Sequence, residues 1–428
     1  MINILIVPAW TEIWLEIYHA LEWCKDITLF WWNENSSNPA EILYKNFFSN
    51  VLPIMEWEKF VRQVDEIVKS SNIDIVYPAS DDWVLILSKY KHLLSCPIVG
   101  PDFFTNDIAR SKKKTYDNLK DLINVPKMYD INNIQKSDFP LFVKPEKWAW
   151  AVNSFKVNNM EQLNFYLESY PNLIISEYLP WEEFTVDCFS SKWKLLYCGW
   201  RKRIRIKNGI AVNTKTINIP EFYDFAEKIN NDLKMDWARF FQVKYNKDNK
   251  LTLLEVEPRI SWSMSTNRMR GINFPLLSVY NKLGYPIEVI TNDYDVTLDR
   301  ALANRYIISN IQYDNVYIDL DDTIILKWNV NLLIIRFLYQ CINQWKKIIL
   351  LTKHDQSNLD EYLNKFRIYQ IFDKIIKLKR DDEKYNYITS KNSIFIDDSF
   401  WERKKIKEKL WIPTFDLSNI ECLLDYKN

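Results

Sequence analysis

Tryptophan occupies positions in this chain where backbone geometry calls for glycine. The 428 residues hold 18 Trp and only 5 Gly, against an average glycine usage of about 7%, which would give roughly 30. The segment Lys144-Pro145-Glu146-Lys147-Trp148-Ala149-Trp150-Ala151 has the pattern of a strand end running into a phosphate loop, yet indoles stand where the main chain must approach a ligand. Leu179-Pro180-Trp181-Glu182 has the pattern of a turn whose third residue takes φ > 0. Trp401 and Trp411 fall where a loop turns and where a helix caps. Glycine suits such sites because it lacks Cβ; a large aromatic residue meets a steric cost there. A gene whose UGA codons specify glycine, read with a table that assigns UGA to tryptophan, gives this pattern. The abundance of Ile, Asn and Lys fits an AT-rich genome in which UGA is favoured. UGG codons at 148, 150, 181 and 262 would contradict this reading.

Length predicts about three domains. A hydrophobic content of 47% with 26% charged residues describes a soluble globular chain. Basic and acidic side chains balance at 56 each, so no electrostatic footprint for nucleic acid or an anionic membrane exists. The runs Lys112-Lys113-Lys114 and Arg201-Lys202-Arg203 are short. The six cysteines include no C-x-x-C pair and there are three histidines, which argues against a zinc site and fits a reducing cytoplasm. The opening residues have no basic segment and too short an apolar run for a signal peptide. The apolar run near Leu332 is broken by Arg336 and falls short of a membrane span.

The chain predicts an α/β and α+β multidomain protein. Residues 1–108 alternate strands (Ile2 to Val7, Ile73 to Pro78) with helical patterns (Thr11 to Glu22), which implies a parallel, Rossmann-like sheet. The opening strand-loop-helix carries Trp10 and Trp14 in glycine places. Residues 109–312 are mixed: a helix from Ser111 to Ile123, then strands at Leu141 to Lys144, Leu173 to Glu177, Phe184 to Phe189, Lys194 to Cys198, Phe240 to Tyr245 and Leu251 to Glu257. From 313 to 428 the βα alternation resumes, with strands at Val316 to Leu320, Lys347 to Thr352 and Ser393 to Asp397.

Three features of the middle region point to a nucleotide. Lys144 ends a strand beside a loop whose N–H groups can bind phosphate. Glu177-Tyr178-Leu179, with Glu183 beyond, can offer main-chain groups to a base and carboxylates to ribose hydroxyls. Glu255 and Glu257, two residues apart on a strand, share one face. Two carboxylates suit Mg²⁺, and Arg259 follows where it can stabilise phosphoryl charge.

Residues 1 to about 310 resemble the ATP-grasp superfamily, nearest to short relatives of carbamoyl-phosphate synthase large chains. The resemblance rests on Ala109–Thr115, Phe142-Val143-Lys144-Pro145 with its loop, Ser176–Asp187, and Phe241-Gln242-Val243 through Glu255–Ser263. It implies that Lys112 and Lys144 contact ATP, with the loop bearing Trp148 and Trp150 over the phosphates. It further implies that Glu177, Leu179 and Glu183 hold the adenosine, and that Gln242, Glu255 and Glu257 surround Mg²⁺, or Mn²⁺ in its place. Arg203 matches a basic residue near the phosphates, with Arg201 and Arg205 as competitors. Ser111 stands where an acidic residue usually precedes the first lysine. The chemistry implied is ligation: a carboxylate is activated as an acyl phosphate and attacked by an amine or similar nucleophile.

In the C-terminal region Asp319 and Asp321 follow a buried-looking strand, Thr352 ends the next, and Asp397 and Asp398 follow a third, with Lys384 upstream. In a parallel sheet these strand ends share one edge. Asp319 can serve as nucleophile and Asp321 as general acid/base. Thr352 and Lys384 can hold phosphate oxygens, while Asp319, Asp321, Asp397 and Asp398 form the expected Mg²⁺ site. Lys379 competes with Lys384. The set resembles the haloacid-dehalogenase-like (HAD) superfamily, in a capless form because few residues separate Thr323 from Thr352.

The leading expectation is therefore a cytoplasmic bifunctional enzyme: a ligase for a small carboxylate and a nucleophile, fused to a phosphohydrolase for a phosphorylated substrate. No nucleic-acid or membrane partner is expected, and a homo-oligomer is left open. The alternative is a HAD-like phosphatase whose ATP-grasp part is a non-catalytic nucleotide-binding module.

Overall fold

The computed structural model describes all residues except 10–11, 34–38, 50–55, 148–152, 208, 302–305, 307, 309–310, 355–357 and 428. Trp10, Trp148 and Trp150 thus lie outside the described residues. Two compact units form, one of Met1–Glu41 with Lys45–Leu302, the other of Ile42–Tyr44 with Ala303–Asn428. Among the described residues no helix is long and apolar enough to cross a membrane.

The first unit begins with a four-stranded parallel sheet. Ile2–Val7 pairs with Ile27–Asn33 on one side and Ile75–Pro78 on the other, and Phe47–Ser49 adds the outer edge. Both central strands are buried almost throughout, as parallel strands covered by helices must be. Chain order reverses between Ile2–Val7 and Ile75–Pro78, so a crevice opens at their carboxyl ends. The helix Asp81–Lys89 starts there, capped by the Ser80 hydroxyl.

Two antiparallel sheets follow. The smaller joins Met128–Tyr129, Leu173–Glu177, Leu141–Pro145 and Phe155–Val157. Leu141, Val143 and Ile175 turn to a core under the helix Met160–Ser169; Phe142, Lys144 and Ser176 line the opposite face. The larger sheet has the order Leu251–Glu257, Ala238–Tyr245, Glu183–Ser191, Lys194–Lys207, Ile210–Ile217, Thr297–Asp299. The side-chain period of two splits its residues. Phe184, Val186, Cys188, Phe241, Val243 and Val256 pack against Phe222, Phe225, Ala226 and Ile229 of the helix Glu221–Leu233. Each such large side chain contributes about 1.5–3 kcal/mol on burial. The other face receives Glu183, Thr185, Asp187, Arg201, Gln242, Glu255 and Glu257, paired across the strands in register.

The second unit holds a five-stranded parallel sheet in the order Lys374–Lys377, Lys347–Thr352, Asn315–Ile318, Ser393–Ile396, Thr414–Phe415. Its first strand in sequence lies at the centre. The interval from Thr323 to Thr352 holds a two-stranded hairpin, Ile325–Leu326 with Asn329–Val330, and the helix Leu332–Asn343.

Several tryptophans differ from the sequence expectation. Trp181 sits at a bend but is not among the residues with positive φ. Trp401 lies within the first turn of the helix Phe400–Leu410 rather than in a loop, because Ser399 caps that helix. Trp14 is buried in the helix Glu12–Leu21, edge-on to Trp31. Trp411 does cap its helix in the left-handed region, at φ 59°. Trp193, Trp328 and Trp345 also take φ near +60°.

Candidate functional site

In the first unit, the two antiparallel sheets face a single cleft. Lys112, Lys144, Glu177, Leu179, Glu183, Arg203, Gln242 and Glu255 all line it. These were singled out from sequences up to 143 residues apart, and one cleft gathers them.

Lys144 is 7% exposed. Its Nζ donates to the Tyr116 hydroxyl at 2.7 Å, and that hydroxyl donates to the Leu254 carbonyl at 2.6 Å. Burial pulls the ammonium down to about 8, with Glu255 working the other way. Lys112 Nζ lies 3.8 Å from Glu255 Oε2. Ser111 caps the helix Lys112–Leu119 and donates to the Glu146 carboxylate, so the hydroxyl fastens the phosphate-loop strand end instead of carrying charge. Glu177 closes its strand by accepting the Lys127 amide into its side chain and donating its own amide to the Lys127 carbonyl.

The three competing arginines have distinct surroundings. Arg201 is fully buried, forking onto Asp187 at 2.9 and 3.1 Å and reaching Ser261. Arg205 is exposed and pairs with Asp299 at 2.6 Å. Arg203 faces the cleft, paired with Glu183 and donating to Gln242 Oε1 at 2.9 Å. Lys244, which the sequence reading passed over, also lines the cleft and lies 3.7 Å from Glu183; its lone signal was alternation with Gln242 along one strand.

Gln242 and Glu255 are direct cross-strand partners. Glu257 stands two residues along, buried beside Asp81 and 3.8 Å from Arg259. Burial first, then the Asp81 carboxylate, push the Glu257 carboxyl well above the usual range, against the pull of Arg259. Burial alone would raise Asp81 as well, but Arg259 overrides it and holds that carboxyl low. Arg259 forks onto Asp81, with Nη2 to Oδ2 at 2.8 Å. This ties the switch-point crevice of the parallel sheet to the end of the Glu255–Glu257 strand. Asp81 carried no role in the sequence reading; its partner is 178 residues away. Two carboxylates and an amide oxygen on one sheet face fit a hard divalent cation, which would compensate the crowding that now favours a proton on Glu257. A cavity alongside is lined by Glu12, Arg203, Gln242, Glu255, Glu257 and Arg259 among others.

In the second unit, the carboxyl ends of three adjacent parallel strands bring together Asp319, Thr352, Asp397 and Asp398. Asp319, Asp397 and Asp398 offer oxygens within 4.8 Å of one another, the one such group among the described residues. Lys384 lies 2.8 Å from Asp319 and 2.6 Å from Asp397, nearly fully buried. Lys379 is exposed. Burial works to lower the Lys384 ammonium, but Asp319 and Asp397 override it and hold it above the ordinary lysine value. Burial pushes Asp319 up to about 7, with Lys384 opposing and Asp397 adding. Asp398 accepts from the Thr323 hydroxyl at 3.4 Å and its amide donates back at 3.0 Å. Asp321 is outside the carboxylate group: its side chain accepts from His354. His354 was missed; its signal was its position two residues after Thr352. Three carboxylates with one compensating lysine fit a divalent cation here too.

The fold of the first unit is shared with ATP-grasp enzymes. A family model described as ATP-grasp in the biosynthetic pathway with Ter operon matches residues 169–301. A D-alanine--D-alanine ligase of Thermotoga petrophila is 24% identical over 147 residues, which is 32% of this chain and 47% of that protein. The chain thus spans about half the length of that curated relative. Among solved structures, a biotin carboxylase of Campylobacter jejuni matches with a TM-score of 0.56 at 13% identity, covering 69% of this chain and 74% of that one. An L-amino acid ligase of Bacillus licheniformis matches with a TM-score of 0.52 at 19% identity, covering 67% and 75%. These matches show a shared fold for the first unit, and the matched proteins named here are ligases and a carboxylase by name.

Proposed function

We propose that the first unit is an ATP- and Mg²⁺-dependent ligase for a small carboxylate. The observation that carries this reading is the single cleft gathering Lys112, Lys144, Glu177, Glu183, Arg203, Gln242 and Glu255. Lys112 and Lys144 would hold phosphate oxygens, Glu177, Leu179 and Glu183 the adenosine, and Gln242, Glu255 and Glu257 the Mg²⁺. Bound Mg·ATP would supply the phosphoryl group that turns a substrate carboxylate into an acyl phosphate open to an amine or similar nucleophile. Arg259, fixed by Asp81, would face the developing negative charge, and the two sheets would exclude water. Two of the matched proteins, a D-alanine--D-alanine ligase and an L-amino acid ligase, favour amino-acid-sized substrates by their names.

We propose that the second unit is a HAD-like, capless phosphohydrolase. The strand order with Asn315–Ile318 at the centre, and Lys384 bridging Asp319 and Asp397, support it. The Asp319 carboxylate attacks phosphorus and the bond to the leaving oxygen breaks as Asp321 protonates that oxygen. Asp321 then takes a proton from water, whose oxygen attacks the aspartyl phosphate, releasing inorganic phosphate and restoring Asp319. Thr352 and Lys384 would hold the phosphate oxygens, and Asp397 and Asp398 a Mg²⁺.

We also infer that glycine is the intended residue at many tryptophan positions. Trp193, Trp328, Trp345 and Trp411 combine left-handed backbone with exposed rings. The buried indole N–H groups of Trp200 and Trp237 find no partner among the described residues. Trp32, packed 4.7 Å from Phe60 and 5.6 Å from Trp83, has the surroundings of a true core residue.

The test measures ADP and phosphate release separately, offering a pool of amino acids with Mg·ATP for the first and p-nitrophenyl phosphate for the second. Glu255→Ala should remove ADP formation alone and Asp319→Asn phosphatase turnover alone. ADP formation unaffected by Glu255→Ala would remove this site as its source, and a wild-type chain that binds ATP but forms no ADP would leave the nucleotide-binding-module alternative.

A further inference from the structure

His354 of the second unit is a buried ionisable side chain that the phosphohydrolase scheme does not use. His354 is 6% exposed. Its Nδ1 lies 2.8 Å from both carboxylate oxygens of Asp321. Its ring packs against Tyr362 with centroids 4.4 Å apart. Its Nε2 is buried and has no hydrogen-bond partner among the described residues. Its backbone amide donates to the Thr352 hydroxyl oxygen at 3.1 Å.

These contacts fix the proton on the ring. In its carboxylate form Asp321 accepts only, and Nδ1 then carries the hydrogen that lies between them. An unpartnered N–H at buried Nε2 would cost the full desolvation of a donor, so Nε2 keeps its lone pair. The result is an imidazole whose Nδ1–H is aimed at Asp321 and whose ring packs against Tyr362. Asp321 itself is nearly half exposed and has rotamers to choose from. The His354 ring is buried and packs against Tyr362, while its backbone amide is tied to Thr352.

We propose that His354 is the positioning residue for Asp321: its Nδ1–H holds the proton-transferring carboxylate in one rotamer at the rim of the Asp319 site. The same residue accommodates the phosphate-holding Thr352. By occupying an acceptor site on the Thr352 oxygen, the His354 amide directs that hydroxyl's hydrogen away from its own loop. One residue thereby sets two groups that must meet the same phosphoryl ester, and it rests on the phosphohydrolase reading of this unit. Transfer geometry tolerates little looseness; a misplacement of about 1 Å costs on the order of 100-fold.

The test uses the full chain and p-nitrophenyl phosphate. His354→Leu removes the donor and should lower kcat about 10- to 100-fold, part of the roughly 10²–10⁴ that a positioned acid supplies, with KM nearly unchanged. His354→Asn places an amide N–H where Nδ1 stood and should recover kcat to within about threefold, on the same geometric argument. A kcat unchanged in His354→Leu, or equally low in both variants, overturns the proposal. A second readout needs no turnover. With ¹⁵N-labelled histidine, the three histidines of the chain give few enough signals to assign. His354 should show the Nδ1–H tautomer, and Asp321→Ala should convert it to the Nε2–H form. A wild-type His354 already in the Nε2–H form overturns the proposal whatever the activity. Wild-type turnover no higher than that of Asp319→Asn refutes the phosphohydrolase reading instead, and leaves the tautomer result to decide the His354–Asp321 contact.

Discussion

Replacing Lys144 by methionine should strengthen the fold while weakening the site. The ammonium is buried against the Tyr116 ring, and its one hydrogen-bond partner given by the structure is the Tyr116 hydroxyl. Burial holds it at about 8 against an ordinary 10.5. At about 1.4 kcal/mol per unit, keeping this charge at neutral pH costs up to about 3 kcal/mol. Methionine keeps the length and removes the charge, and Tyr116 stays satisfied through the Leu254 carbonyl. The sign follows from proton counts. Between pH 8 and 10.5 the unfolded chain holds the lysine proton and the folded chain has released it, so wild-type stability rises with pH across that window. Below pH 8 the full cost applies. Urea unfolding followed by circular dichroism should therefore show Lys144→Met more stable by up to about 3 kcal/mol at pH 7, with the gain fading from pH 8 and gone above 10.5. In the same variant ATP binding should weaken by about 1.5–3 kcal/mol, the worth of a charged hydrogen bond. A Lys144→Met chain that is less stable at pH 7, or whose gain ignores pH, would refute the reasoning.

Other perturbations test neighbouring parts. Glycine at 193, 328, 345 and 411 should raise stability by about 0.5–1 kcal/mol per site, the left-handed cost of about 1–2 kcal/mol less glycine's extra chain entropy, read as higher melting temperatures. Trp32→Gly should instead lose about 3–5 kcal/mol from the core; the reverse pattern would contradict the glycine reading. Asp81→Asn strips the buried Arg259 of its forked partner and should cost about 3–5 kcal/mol by urea titration, with Asp81→Glu milder. Asp397→Asn should raise the Mg²⁺ concentration needed for half-maximal p-nitrophenyl phosphate turnover and leave ADP formation intact.

Local patterns were legible where one strand carries them. Leu173–Glu177, Leu251–Glu257 and Lys347–Thr352 are bounded by the residues their β-branched runs indicated, because turn residues flank them. The strand Lys194–Lys207 runs far beyond Cys198; its second half is charged on both faces, and only pairing with Ile210–Ile217 and the cleft makes that a strand. Site residues were legible where chemistry repeats at short spacing, as with Glu255 and Glu257 or Asp397 and Asp398. Long-range pairing was not. Nothing local marks Asp81 as the partner of Arg259, or separates Arg203 from Arg201 and Arg205; bulges in the strand register decide which guanidinium reaches the cleft. His354 stayed invisible because its function depends on a ring orientation fixed by Tyr362.

The most direct test is a calorimetric titration of Mg·ATP into the full chain, alongside Lys144→Met, Glu255→Ala and Asp319→Asn. The account predicts one nucleotide site per chain, weakened at least tenfold in the first two variants and unchanged in the third. Binding that survives both first-unit substitutions, or disappears with Asp319→Asn, would contradict it.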